Sequence, residues 1–341
     1  MILKGFENLQ DYLKSPRKIV IIGHKNPDGD AVGSTIALQH YLKKKGHQPK
    51  VIVPNDFPQF LKWLPNSNKV LRFDKQNIQS KNALAKSDLV FLLDFNALHR
   101  VGWDMENTLK EYSNDFALID HHQQPDDFAY MYSDVSISST CQMVYHFIEM
   151  NEDLDLIDET IATCIYTGIM TDTGSFRFRS TTSTTHRIIA DLIDKGAVND
   201  RIHNNVYDQN SEGRLCLLGK ALTNLEVLSE FNTAFITLSQ AEKDCCKFEK
   251  GDTEGVVNYA LSVKGIVFAA IFIEDVEQKI VKISFRSKGS FSVNMFARNY
   301  FEGGGHTNAA GGRSVDNLAD TVERFKTLLP KYKEELLVSY E

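Results

Sequence analysis

The sequence is poor in the features that would place it outside the ordinary globular class. Five cysteines, Cys141, Cys164, Cys216, Cys245 and Cys246, make an odd number with no CxxC spacing. That argues against a disulfide framework or a cysteine zinc site, and points to ordinary thiols in a reducing cytoplasm. No apolar run reaches bilayer-spanning length, and MILKGFENLQDYLKSPRK contains no signal-peptide core, so neither a membrane nor an export route is expected. Excess positive charge is also missing. A net charge of −7 excludes the broad cationic footprint that a long duplex nucleic acid requires, while leaving room for a small phosphate ligand held by metals. Repeats and low-complexity tracts are lacking. What remains is a 341-residue chain, 42% hydrophobic and 24% charged, with material for the cores of about two domains.

The apolar runs alternate with helical patterns. KIVIIG (18–23), KVIVP (50–54), DLVFLLD (88–94) and FALID (116–120) read as short buried strands. DGDAVGSTIALQHYLKKKG (28–46) reads as a helix with acids in its first turn, lysines in its last and Gly46 as its stop. Lys43, Lys44 and Lys45 are expected to be the solvated end of that helix. Helical periodicity returns over 138–150, 158–170 and 181–196. This alternation predicts an α/β domain over 1–197 with a mainly parallel sheet. The polar, Asn-rich stretch 198–211 reads as a linker. A second α/β domain, 212–341, is expected, with strands near 234–238, 265–274 and 279–287, then GGGHTNAAGG (303–312) and an amphipathic helix over about 316–335.

The chemistry-bearing residues share one topological address. His24, Asp28 and Asp30 follow the first long strand, Asp94 ends DLVFLLD, and Asp120, His121 and His122 end FALID. Ligands of open α/β sheets collect beyond the carboxyl ends of the strands, so these side chains are placed to converge. Asp172, in GIMTDTGSF, adds another carboxylate. Each piece alone has a structural explanation: a charged helix N-terminus, a cap, a surface loop, a turn. Together, four carboxylates and two imidazoles in one pocket would repel unless cations neutralised them. Mixed imidazole and carboxylate donors suit manganese, with magnesium, iron or zinc as alternatives.

HKNPDGD, DFNALHR, DHH and TDTGSF, in that order, resemble the four motifs of the DHH phosphoesterase superfamily, and GGGHTNAAGG resembles the signature of its DHH-associated C-terminal domain. The resemblance runs from Gly23 to Gly312 and is closest in wording to the two-domain nanoRNase branch, whose members degrade short oligoribonucleotides and dephosphorylate 3′-phosphoadenosine-5′-phosphate (pAp). It implies two divalent ions, Mn2+ foremost and Mg2+ as the alternative. His24 and Asp28 would hold one, Asp30, His121 and Asp172 the other, with Asp94 bridging and Asp120 orienting His121. His122 would face the substrate phosphate or leaving group. In the second domain Arg286 and Ser287 would bind substrate, and Gly303, Gly304, Gly305 and His306 would approach a phosphate. The implied active site lies in the cleft between the domains. The implied reaction is in-line attack of a metal-bridging hydroxide, giving 5′-mononucleotides from short RNA, and AMP plus phosphate from pAp.

Two other readings stay open. A phosphodiesterase for linear or cyclic dinucleotide second messengers would share every motif. A non-catalytic nucleotide- or RNA-binding module would lack one or more ligands, yet all six are present. The expected partners are therefore short RNA or a small phosphorylated nucleotide, with no long duplex and no membrane; the oligomeric state is not legible.

Overall fold

The apolar runs become strands of a doubly wound sheet. The computed structural model describes residues 1–338, which divide into two units at Gln209/Asn210; each is taken by itself. In the first unit the strands are β1 (Ile2–Lys4), β2 (Lys18–Ile22), β3 (Gln48–Val53), β4 (Leu71–Arg72), β5 (Leu89–Leu93), β6 (Phe116–Asp120) and β7 (Tyr130–Ser133), in the order β1-β7-β6-β5-β2-β3-β4. All neighbours are parallel except the β1–β7 edge pair. The expected mainly parallel sheet is borne out.

β5, and β2 after its exposed first residue Lys18, are apolar throughout because both faces of the sheet are covered. Ile19, Ile21, Leu89, Phe91 and Leu93 point into one core, and Val20, Ile22, Val90 and Leu92 into the other, following the two-residue period of a strand. From β2 the chain proceeds outward to β3 and β4, and from β5 outward to β6 and β7. The β2/β5 junction is therefore where the winding reverses, the place where ligands bind in such sheets.

The second unit holds β8 (Glu226–Leu228), β9 (Thr233–Leu238), β10 (Phe268–Asp275), β11 (Ile280–Ser287), β12 (Gly304–His306) and β13 (Ala309–Ser314), in the order β12-β13-β11-β10-β9-β8. Only β9 and β10 run parallel. One face carries a phenylalanine-rich core that includes Phe235, Phe268, Phe272, Phe285, Phe296 and Phe325.

Three expectations need correcting. The stretch read as a linker contains the helix Asn199–Tyr207, whose Ile202 and Val206 join the first unit's core; its polar composition reflects one narrow apolar stripe on an exposed helix. The helix expected over about 316–335 ends at Leu328, and a short turn containing Pro330 separates it from Lys333–Val338, since proline cannot continue the ladder. Cys216 and Cys246 form a disulfide, with Cα atoms 5.5 Å apart, although thiols were expected. They are 30 residues apart on segments that meet only in the folded unit, so spacing offered no signal. Cys141 and Cys164 remain buried thiols and Cys245 an exposed one.

Candidate metal centre

The N-terminal turn of the helix Gly29–Lys44 begins the site. Asp28 is its N-cap: Oδ1 accepts from the amides of Asp30 and Ala31 at 3.0 and 3.1 Å. The same oxygen stands 3.8 Å from His24 Nε2, so the capping explanation and the site explanation both hold. His24 turns Nε2 inward because its Nδ1 bonds the Lys25 carbonyl at 2.9 Å.

Asp94 follows β5 with φ of 65°, a left-handed conformation that aspartate tolerates better than most residues. Its buried carboxylate is shared. Oδ2 lies 3.4 Å from His24 Nε2, and Oδ1 lies 3.5 Å from His121 Nε2. His121, just past β6, directs Nδ1 to the Ile137 carbonyl at 3.2 Å; its Nε2 also meets Asp30 Oδ2 at 3.8 Å and Asp172 Oδ2 at 3.6 Å. The six residues thus gather into two donor groups, His24–Asp28–Asp94 and Asp30–His121–Asp172–Asp94, that meet at one carboxylate.

These donors fit divalent ions. Ligand atoms at about 2.0–2.2 Å from a common ion are roughly 3.0–3.5 Å from one another, and the gaps here approach that spacing. The electrostatics agree. Burial and the neighbouring Asp94 charge hold Asp30 well above the usual carboxylate range. Burial, Asp28 and Asp94 push Asp172 up to about 6 against the pull of His121. Burial alone would lower His24 and His121, yet the carboxylates around them hold both well above the ordinary imidazole value. Without cations, protons must do the neutralising.

Asp30 and Asp172 come together because two helices nearly touch. A Cβ on Gly168, in the helix Glu159–Asp172, would lie 2.1 Å from Cys141 Sγ and 2.9 Å from Asp30 Oδ1, so only glycine fits. Asp172 is the last residue of that helix rather than a residue beyond it.

Two features escaped the sequence reading. The helix Thr140–Met150 opens against Asp30: the amides of Thr140 and Cys141 donate to its Oδ2 and Oδ1 at 2.6 and 2.8 Å, an anion site at a helix N-terminus. The Thr140 hydroxyl donates to Asp94 Oδ1 at 3.1 Å. The capping serine, Ser139, was the visible signal, though nothing in the sequence says which anion the helix faces. The second feature is a changed partner. Asp120, expected to orient His121, instead pairs with His122, Nδ1 to Oδ1 at 2.6 Å. Two residues apart in extended chain, Asp120 and His122 lie on the same side, whereas His121 points away.

In the second unit, Arg286 is half-buried on β11 and its Nη1 donates to the Phe285 carbonyl at 2.9 Å. Ser287 is committed to structure: Oγ donates to the Phe291 carbonyl and accepts from Asn308 Nδ2. The glycines expected to cradle phosphate form the β12–β13 hairpin. Gly303 and Gly305 donate their amides to the Ala297 carbonyl and to Asn294 Oδ1, and a Cβ on Gly303 would lie 2.0 Å from the Gly311 carbonyl oxygen. Close strand approach explains Gly303 and Gly305 without a ligand. Gly304 and His306 lie half-buried in the same short strand.

Residues 18–169 match the DHH family, N-terminal domain, and residues 243–335 match the DHHA1 domain. A curated relative, the Thermus thermophilus "Bifunctional oligoribonuclease and PAP phosphatase NrnA", is 31% identical over 93% of this chain and 90% of its own length. The chain belongs to the DHH family. As a DHH phosphoesterase it is a hydrolase acting on phosphoester bonds. The crystal structure of an exopolyphosphatase-related protein from Bacteroides fragilis superposes on this DHH protein with a TM-score of 0.93, at 38% identity, covering 98% of both chains. The Bacillus subtilis "Cyclic-di-AMP phosphodiesterase GdpP" is 26% identical over 96% of this chain but only 49% of its own. Among the described residues, no helix is long and apolar enough to cross a membrane.

Proposed function

We propose that this DHH phosphoesterase hydrolyses short oligoribonucleotides to 5′-mononucleotides, and pAp to AMP and phosphate, with two divalent ions, Mn2+ foremost. The observation that carries the two-ion reading is the division of the Asp94 carboxylate between His24 and His121. The substrate class is supported by the near full-length similarity to the Thermus enzyme.

In this reading His24 and Asp28 hold one ion, Asp30, His121 and Asp172 the other, and Asp94 both. When bound, the pair supplies a lowered pKa for the attacking water and positive charge against the phosphoryl oxygens. The protein's own groups do the rest. Asp30, clamped by the Thr140 and Cys141 amides, and Asp94, held by the Thr140 hydroxyl, are set before any ion arrives. His122, fixed by Asp120, is positioned as the proton donor to the departing oxygen. Arg286 offers a planar fork for a substrate phosphate. Ser287, Gly304 and His306 contribute less, the serine being occupied already.

The test is a substrate panel under manganese: a length series of RNA from dinucleotide upward, pAp, linear and cyclic dinucleotides, pyrophosphate and polyphosphate. Turnover that falls steeply with RNA length, together with release of phosphate from pAp, is expected. Equal turnover of dinucleotide and long RNA would reject the short-substrate reading. Preference for cyclic di-AMP would favour the alternative suggested by the similarity to GdpP.

A further inference from the structure

The four carboxylates of the metal centre are not held alike. Asp28 and Asp30 each accept two backbone amides, and Asp94 accepts the Thr140 hydroxyl. Among the described residues, no hydrogen bond holds the Asp172 carboxylate; its Oδ2 stands 3.6 Å from His121 Nε2. Asp172 also ends its helix, where the macrodipole repels a negative charge. Its place must therefore be set by the backbone.

The backbone that follows it is unusual. Gly174, Ser175 and Phe176 are three consecutive left-handed residues, with φ of 56°, 60° and 65°. Glycine adopts this conformation freely, but serine and phenylalanine do so only against a steric penalty. Such backbone persists where its surroundings over-determine it. Two bonds lie within the turn itself: the Ser175 amide donates to the Met170 carbonyl at 2.8 Å, and the Phe176 amide to Thr173 Oγ1 at 3.0 Å.

The remaining support comes from the helix Asn199–Tyr207, the one hidden in the polar stretch. His203 Nδ1 donates to the Asn199 carbonyl at 2.9 Å, which leaves Nε2 as an acceptor. That Nε2 takes the Ser175 hydroxyl at 3.2 Å. The Phe176 ring packs against the core, with Tyr166, His186 and His203 at centroid distances of 5.8, 6.0 and 6.5 Å. Tyr166 lies on the helix that Asp172 ends, and His186 on the helix Ser183–Asp194. Three helices thus hold Ser175 and Phe176 in a conformation that neither prefers.

We propose that His203 is a positioning residue of the metal centre: through Ser175 and Phe176 it holds the left-handed turn 174–176, and the turn sets Asp172 against the ion shared with His121. The inference rests on the two-ion reading above.

The experiment compares the native full chain with His203→Phe, Ser175→Ala, Ser175→Gly and the double variant His203→Phe/Ser175→Gly. His203→Phe keeps a ring beside Phe176 but removes the acceptor. Ser175→Ala removes the hydroxyl and leaves the strain, whereas Ser175→Gly removes both. In the metal-free chain, amide hydrogen exchange over 173–178 is expected to quicken about tenfold in His203→Phe and Ser175→Ala, and to stay near native in Ser175→Gly. Manganese titrated by calorimetry is expected to lose about tenfold in one of its two affinities in the first two variants, and to regain it in the double variant. Support that merely stabilised the fold would lower Tm without this pattern. Unchanged manganese affinity in both His203→Phe and Ser175→Ala, or no recovery with glycine, would overturn the proposal. If the native chain takes up a single ion, the two-ion reading falls, and the positioning role stands only if that ion's affinity follows the same order. Ser175 and His203 are half-buried, so these variants are expected to fold.

Discussion

Thr140 donates its hydroxyl to Asp94 from 46 residues away, at 3.1 Å, while its amide holds Asp30. One residue at a helix start thus fixes two carboxylates belonging to different strand ends. Partners of metal-ligating side chains govern affinity and activity by about 10–100-fold. Thr140→Val keeps the shape and the amide but removes the hydroxyl. Manganese affinity, measured by calorimetry, is expected to drop about tenfold, with Thr140→Ser restoring it. An unaltered affinity in Thr140→Val would show that the hydroxyl only fills space.

Asp94→Asn should remove the shared anion and leave a folded protein. Manganese-supported hydrolysis is expected to fall to background, and the number of ions bound per chain, read by calorimetry, to drop from two. Retention of both ions with full turnover would exclude the bridging role.

Asp120→Asn tests the dyad. The amide in place of the carboxylate no longer fixes the His122 ring with a proton on Nδ1 and weakens it as a donor. A fall in kcat of about 10²–10⁴ is expected, with KM little changed, in the range of a lost general acid. A rise in KM with kcat intact would assign His122 to binding alone.

The pH dependence of stability should reverse with metal. In the metal-free chain, Asp30, Asp172, His24 and His121 all have folded pKa values above their ordinary ones, Asp172 at about 6. The native state then holds more protons than the unfolded one from the ordinary carboxylate range up through and beyond pH 6. Stability is lost as pH rises through that window. Asp28 and Asp94 are depressed and oppose this only at more acid pH. With manganese, protons compete with the ions, so acid weakens the loaded protein. Under chelator, Tm should be higher at about pH 6 than at about pH 8; under manganese the order should invert. Parallel trends in both conditions would contradict the ligand set.

Gly168→Ala should separate the two helices that carry Asp30 and Asp172, since the added methyl meets Cys141 and Asp30. A loss of about 1–3 kcal/mol in unfolding free energy is expected, as in other overpacked sites, with weakened manganese binding. Native behaviour in both measurements would mean that the helix pair yields freely.

The strands, the mainly parallel winding and the place where acids and histidines accumulate were readable because each depends on local pattern. Runs such as IVII (19–22) and LVFLL (89–93) are apolar at every position, and the chemistry follows closely after them. The pairing of Asp120 with His122 required the backbone directions past β6. The Asn199–Tyr207 helix was hidden by its polar composition, and the disulfide by the distance between its halves. Gly303 and Gly305 looked like a phosphate cradle until the facing strand showed why they must be small.

The amino-acid order alone therefore determined which groups are carried to the carboxyl edge of the sheet, because a strand ends where its apolar run ends. Which groups meet, which carboxylate is shared and which helix start clamps it were decided only by tertiary packing, because contacts between segments far apart in the chain depend on how closely whole helices and strands can approach.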